Sequence, residues 1–256
     1  LPNKNYKVEV YLFSKHLQFL DYNEMSSVAS KLGFDGLDLT VRPKGHVLPE
    51  RVVEDLPKAV SVMKKHGLKA KLMTTNVLDV ENLEHKTVLE TASKELNAEL
   101  NIIGCYQNHA GKHVGAPIWD LIPILEATNN TNFGCQYDIR HAVVEGGNSW
   151  ELGLQVIQPY IKSIVIKDFK WGKVDGEWKP INTPLGDGMV DFGRYFSLLK
   201  KFKVNVPISL HLEYDLGGAE HGANEINIAK EDVYKKMKSD LDFLKETWRN
   251  AYKYEK

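Results

Sequence analysis

Phe133-Gly134-Cys135-Gln136-Tyr137-Asp138-Ile139-Arg140-His141 is the stretch whose reading decides the fold. It opens with strand character and ends in a cluster of polar and ionisable side chains. Three further clusters repeat that pattern: Tyr106-Gln107-Asn108-His109, Lys167-Asp168-Phe169-Lys170-Trp171 and His211-Leu212-Glu213-Tyr214. Each closes a short strand-like run, and helix-like sequence follows each one. Strands that end in convergent polar groups every few tens of residues suit the catalytic rim of a (β/α) barrel. A chain that needed only a core would stop such strands with turn residues. The pattern therefore predicts an enzyme whose chemistry sits on the strand ends.

Working outward, Lys7 to Ser14 predicts a first strand and Asn23 to Leu32 its helix, capped by Asn23 or Asp21 and stopped at Gly33. Gly36 to Val41 sets Leu37, Leu39 and Val41 against Asp38, Thr40 and Arg42, a strand of period two. A helix from Pro49 to His66, a strand from Leu68 to Val77 and a helix from Val80 to Leu96 follow. Beyond them the pattern predicts strand 102–106, helix 117–128, strand 133–138, helix 149–160, strand 163–167, helix 192–202, strand 207–213 and helix 230–248. That makes seven strands in an α/β chain, where a (β/α)8 TIM barrel needs eight. One β/α unit is missing between about Lys94 and Asn101. The expectation is that the chain joins segments across a stretch absent from it, with a naturally shortened barrel as the alternative.

The 256 residues suit one large α/β domain, 1–256. With 43% hydrophobic and 26% charged residues the chain can bury a core. A net charge of −1 supplies neither a nucleic-acid footprint nor a polybasic membrane stripe, and no apolar run reaches membrane-spanning length. Cys105 and Cys135 are expected as free, core-facing thiols. The chain starts at Leu1, so localisation stays open between a cytoplasmic default and export. No glycine-rich phosphate loop supports a nucleotide cofactor, and no serine or cysteine sits on a nucleophile elbow.

Residues two apart on a strand share a face, which pairs Gln107 with His109, Asp138 with Arg140 and His211 with Glu213. If Asp138 and Glu213 both face the barrel mouth, two carboxylates converge, and oxygen ligands of this kind suit Mn²⁺ or Mg²⁺. The bland alternative is a salt bridge of Asp138 with Arg140 or Lys167, and a buried ion pair of Glu213 with a neighbouring lysine. His109, His141 and His211 are candidate proton carriers, although a lone strand-end histidine is more often structural. Lys167 suits a Schiff base or an oxyanion partner, against a plain charge network with Asp168 and Lys170. Trp171 offers a platform for a sugar face. Lys15, His16, Asp38, Arg42, His46 and Glu50 form a second polar group around the first two strand ends. Within it Arg42 suits a carboxylate or phosphate, and helix capping is the bland reading of His46.

Together these clusters resemble the xylose isomerase-like TIM-barrel superfamily, which contains sugar phosphate isomerases and epimerases, ketose 3-epimerases and endonuclease IV. The motifs that carry the resemblance are Phe34-Asp35-Gly36-Leu37-Asp38-Leu39, Tyr137-Asp138-Ile139-Arg140-His141, Ile166-Lys167-Asp168, Leu185-Gly186-Asp187-Gly188-Met189-Val190-Asp191-Phe192 and Leu212-Glu213-Tyr214. In epimerase-like members a glutamate, an aspartate, a histidine and a second glutamate hold one divalent ion. The resemblance places Asp138 on the aspartate and Glu213 on the last glutamate. Gln107 falls on the first glutamate and Val165 on the histidine, and His141 matches a substrate-contacting histidine. Either the metal site is rebuilt with His109 or His211, or no ion is held tightly.

The resulting expectation is a sugar isomerase or epimerase working by proton abstraction next to a carbonyl. Glu213, His109, His211 and Lys167 are its catalytic candidates. His141, Arg42, His46, Trp171, Arg140 and His16 are expected to bind substrate, and Asp138, Glu213 and Gln107 a Mn²⁺ or Mg²⁺ ion. A keto-sugar lyase or hydratase, and a sugar-binding protein that has lost its chemistry, are the rivals. A small sugar is the expected partner, with homo-oligomerisation left open.

Overall fold

A computed structural model describes residues 8–77, 81–95, 103–128 and 132–251. The fold is α/β of the TIM-barrel class, and the chain divides into two compact units. One comprises Glu9–Ile102 with Ser209–Lys238, the other Leu1–Val8, Ile103–Ile208 and Ser239–Lys256.

In the first unit β1 (Val10–Phe13), α1 (Tyr22–Leu32), β2 (Gly36–Val41), α2 (Val52–Lys65), β3 (Lys69–Thr75) and α3 (Leu83–Glu95) alternate. β1 pairs parallel with β2, and β2 with β3. Asp21 caps α1 by accepting the Glu24 N–H at 2.8 Å, while Asn23 Oδ1 instead meets His66 Nε2 at 2.9 Å. Pro49 opens a 3-10 turn, so α2 starts at Val52 rather than at the proline. All six β2 residues are buried, including Asp38 and Thr40. Period two is thus present in chemistry but not in exposure: one face meets apolar packing, the other a buried polar network. Leu37, Leu39, Leu56 and Met63 fill the apolar side at 1% exposure or less, each burial stabilising by about 1.5–3 kcal/mol.

The second unit holds β4 (Gly104–Gln107), α4 (Leu121–Thr128), β5 (Phe133–Asp138), α5 (Ile139–Gly146), α6 (Trp150–Ile157) and β6 (Ile161–Ile166). β4, β5 and β6 pair in parallel order. α5 was not expected, because the sequence around Arg140 and His141 suggests a strand end. Asp138 stops the strand and caps the helix by accepting the His141 N–H at 3.2 Å. An antiparallel hairpin of β7 (Asp168–Val174) and β8 (Glu177–Thr183), also unexpected, follows β6. Its turn, Asp175-Gly176, has φ of 53° and 82°, the double left-handed geometry of a tight hairpin that Asp-Gly favours. α7 (Phe192–Lys201) packs through Tyr195 and Phe196 against Tyr137 and Trp248.

β9 (Ile208–Leu210) and α8 (Lys230–Asn250) complete the chain. Seven barrel-type strands are therefore found among the described residues, as expected. The point at which an eighth β/α unit is expected falls largely on residues 96–102, outside the described residues. Cys135 is buried, but Cys105 is exposed rather than core-facing; both are free thiols. No helix among the described residues is long and apolar enough to cross a membrane.

Candidate functional site

The candidate residues fall into two clusters, one in each unit. In the first unit Asp38 is 1% exposed and accepts Thr74 Oγ1–H at 2.9 Å and Ser209 Oγ–H at 2.6 Å. Burial pushes its carboxyl up, and the His211 charge and these two hydroxyls oppose that rise. Ser209 has a single hydroxyl proton, and it points at Asp38. At 3.1 Å from His211 Nε2, Ser209 Oγ can therefore only accept, so Nε2 carries the proton. That leaves His211 Nδ1 as an unprotonated nitrogen, which faces Glu213 Oε1 at 3.7 Å. A line of contacts thus runs from buried Asp38 through Ser209 and His211 to Glu213, whose side chain is 24% exposed.

Phe13 supports this line. Its ring stacks on His211 at 4.1 Å and 15°. Lys15 Nζ and the Arg42 guanidinium lie 5.6 and 5.5 Å from the same ring, and Lys15 also pairs with Glu213 at 3.4 Å. Burial lowers the Arg42 pKa, opposed by Asp38 and Glu213. A partly exposed carboxylate therefore stands between an ammonium and an imidazole, with a guanidinium nearby.

Two expected substrate contacts in this unit are structural instead. His16 is fully buried; its Nε2 accepts the Leu212 N–H at 3.0 Å, which leaves Nδ1–H to donate to the Ala219 carbonyl at 3.4 Å. Burial drives its pKa far down, so it stays neutral. His46 contacts the Leu17 carbonyl through Nε2 at 3.2 Å and Thr40 Oγ1 through Nδ1 at 3.3 Å. It is not a helix cap either: it ties the 42–47 loop to the turn after β1, and burial lowers its pKa to about 4.

In the second unit Asp138 is fully buried and heavily bonded. Its Oδ2 accepts from Gln107 Nε2 at 2.9 Å and from the Lys167 ammonium at 3.1 Å, with His141 Nε2 at 3.5 Å. Asn108, which the sequence reading left without a role, clamps the backbone: its Oδ1 accepts the Asp138 N–H at 2.8 Å and its Nδ2 donates to the Asp138 carbonyl at 3.1 Å. His141 Nδ1 accepts from Arg140 at 3.1 Å, so its proton sits on Nε2, toward Asp138. Burial, reinforced by Lys167 and Arg140 and opposed by Asp138, holds His141 neutral with a pKa of about 3. The exposed His109 lies 5.0 Å from the His141 ring and donates Nδ1–H to the Gln107 carbonyl at 3.0 Å.

The expected face-sharing of Asp138 and Arg140 fails because Arg140 is on a helix. Arg140 lies over the Phe169 ring at 5.3 Å and donates to Asn182 Oδ1 at 2.9 Å, which ties α5 to the hairpin and accounts for this cation without substrate. Asp168 belongs to no charge network with Lys170. Its carboxylate accepts four backbone N–H groups, from Phe169, Gly186, Gly188 and Val190, at 2.8–3.1 Å. A Cβ at Gly188 would stand 2.2 Å from Asp168 Oδ1, so the turn requires glycine there. Trp171 remains 41% exposed on β7, edge-on to Phe169 at 6.1 Å.

The expected ion does not fit Asp138 and Gln107. These side chains bond to each other, and Lys167 brings a positive charge onto the same carboxylate oxygen. A divalent ion about 4 Å from that ammonium would be repelled by about 8 kcal/mol at an effective dielectric of 20. Val165, opposite Asp138 in the β5–β6 register, brings only carbon. No three His, Cys, Asp or Glu side chains gather in a metal-binding geometry among the described residues.

Comparison with known proteins identifies the family and the fold. The family described as xylose isomerase-like TIM barrel matches residues 81–246. Similar solved structures include D-psicose 3-epimerase from Clostridium cellulolyticum H10 with D-tagatose, at 10% identity and a TM-score of 0.60, covering 94% of this chain and 99% of that one. The probable 3-DHS dehydratase AsbF from Bacillus anthracis has 11% identity, a TM-score of 0.62 and coverage of 93% and 99%. A xylose isomerase-like TIM barrel protein from Mycobacterium smegmatis, in complex with magnesium, has 10% identity, a TM-score of 0.59 and coverage of 94% and 100%. No curated protein matches in sequence. With the family matched over more than half of its length and the fold shared from end to end, this chain belongs to the xylose isomerase-like TIM-barrel family.

Proposed function

We propose that this protein is a sugar isomerase or epimerase in which Glu213 removes the proton next to a carbonyl. The observation that carries the reading is the Asp38–Ser209–His211–Glu213 line, which ends on a partly exposed carboxylate with an imidazole nitrogen 3.7 Å away. A base must be accessible, ionised and within reach of a proton partner. Glu213 meets these conditions: Lys15 favours its anionic form, and His211 stands beside it to accept or return a proton.

In the forward step a Glu213 oxygen takes the α-proton, and the C–H electron pair moves into the carbonyl to give an enediolate. Lys15 and Arg42 supply positive charge near the developing oxyanion. Protonated Glu213 then returns the proton to the neighbouring carbon, while the hydroxyl proton of the enediolate moves from one oxygen to the other, with His211 Nδ1 placed to carry it. Return to the neighbouring carbon on the same face needs one base and interconverts an aldose and a ketose. Epimerisation needs a second acid on the opposite face, and the carboxylate expected at 107 is an amide bonded to Asp138. The amide therefore favours the isomerase reading over the epimerase.

The same amide supports a second reading. A lyase or dehydratase also needs a single strong base, followed by loss of a β-leaving group. The dehydratase among the similar structures is in keeping with that chemistry on this fold. Incubation with aldoses, ketoses and keto-sugars in deuterated water separates the two readings. Deuterium at the α-carbon with intact substrate supports the isomerase, and release of water or another leaving group supports the lyase. No exchange with any sugar, while a sugar still binds, overturns both.

A further inference from the structure

We propose that the Lys167 ammonium performs at Asp138 the charge-balancing task that a divalent ion performs in metal-binding members of this fold, so that the protein holds no ion there. The proposal is independent of the role assigned to Glu213. It rests on three coordinated features around one carboxylate. First, Asp138 is 0% exposed and Lys167 4% exposed, and Lys167 Nζ lies 3.1 Å from Oδ2. A buried carboxylate requires compensation, and the chain supplies the cation itself. Second, residue 107 is an amide, and its Nε2 donates to the same oxygen at 2.9 Å. The Asp138 carboxylate faces the Lys167 ammonium, and a carboxylate at 107 would add a second negative charge beside it. Third, Val165 is fully buried where β6 runs beside Asp138, so the position that the resemblance assigns to a histidine ligand is apolar.

The other Asp138 acceptor, Oδ1, is also engaged, by the His141 backbone N–H at 3.2 Å, and Asn108 fixes the backbone on either side. An incoming ion would have to displace an ammonium, an amide and a helix cap together. Asp138 thus has work to do without an ion: it anchors Lys167 and starts α5.

The test is a Mn²⁺ titration of the full-length protein followed by electron paramagnetic resonance, beside thermal melts with EDTA or millimolar Mn²⁺. Wild type is expected to bind no stoichiometric Mn²⁺ and to melt at an unchanged temperature in either solution. Lys167→Met is expected to melt lower by roughly 10 °C. Adding Asp138→Asn to that variant recovers at least half of the loss, because the orphaned charge is gone. Tight binding of one Mn²⁺ per wild-type chain would overturn the proposal. So would a double variant no more stable than Lys167→Met alone. Neither readout uses turnover, so failure here and failure of the Glu213 reading are told apart.

Discussion

Ser209→Ala isolates the step on which the proton partner depends. Ser209 Oγ donates to Asp38 Oδ2 at 2.6 Å in a site at most 1% exposed, and it accepts from His211 Nε2 at 3.1 Å. Hydrogen bonds to buried charged groups contribute about 1.5–3 kcal/mol, and the unsatisfied Nε2–H adds part of its own desolvation cost. Thr74 still donates to Asp38, which limits the loss. The expected destabilisation is about 2–4 kcal/mol, read from urea denaturation. Without its acceptor His211 no longer presents Nδ1 to Glu213 in one orientation, so deuterium exchange falls by about 10–100-fold, or about 1.4–2.7 kcal/mol in the barrier. The midpoint of the pH–rate profile also moves, whereas a purely structural loss lowers the amplitude at an unchanged midpoint. Ser209→Thr, which keeps the hydroxyl, is the matching control. A Ser209→Ala protein with wild-type stability and a rate within about twofold of wild type would refute the reasoning.

Three further outcomes follow from the geometry. His46 has a folded pKa of about 4 against an ordinary 6.5, so the unfolded chain binds more protons in that window and stability falls as pH drops from 6.5 toward 4; urea midpoints at several pH values should show a flatter acid slope for His46→Gln. Gly188→Ala, which sets a methyl 2.2 Å from Asp168 Oδ1, should cost about 1–3 kcal/mol by melting. Arg140→Gln removes the tie to Asn182 and the contact with Phe169; it should lower the melting temperature and leave KM unchanged, and a raised KM at normal stability would return Arg140 to substrate binding.

Repeating local patterns made the fold legible. β2 and β5 fall where strand-like residues precede polar ends, and Gly33 ends α1 as the glycine predicts. The two missed elements carried signals of their own. Asp138 three residues before His141, followed by Ala142-Val143-Val144 and then Gly146-Gly147, describes a capped helix, and Asp175-Gly176 between Val174 and Glu177 is a two-residue hairpin turn. Histidine roles were less accessible because they are settled by partners distant in sequence. His16 meets Leu212, 196 positions away, and no local pattern separates it from His211. Ser209 escaped notice for the same reason: its importance lies in Asp38, 171 positions away. For Asp138 the sequence offered Arg140 or Lys167 as a salt-bridge partner, and Lys167 is the one that reaches its carboxylate, at 3.1 Å.

Deuterium incorporation at the α-carbon of a sugar, followed by NMR for wild type beside Glu213→Gln, tests the central claim most directly. Glutamine keeps the size of the side chain and its contact with Lys15 but cannot accept the proton. Exchange by wild type, reduced by about a thousandfold or more in Glu213→Gln while sugar binding persists, is the predicted result. Equal exchange by both proteins would contradict the assignment of Glu213 as the base.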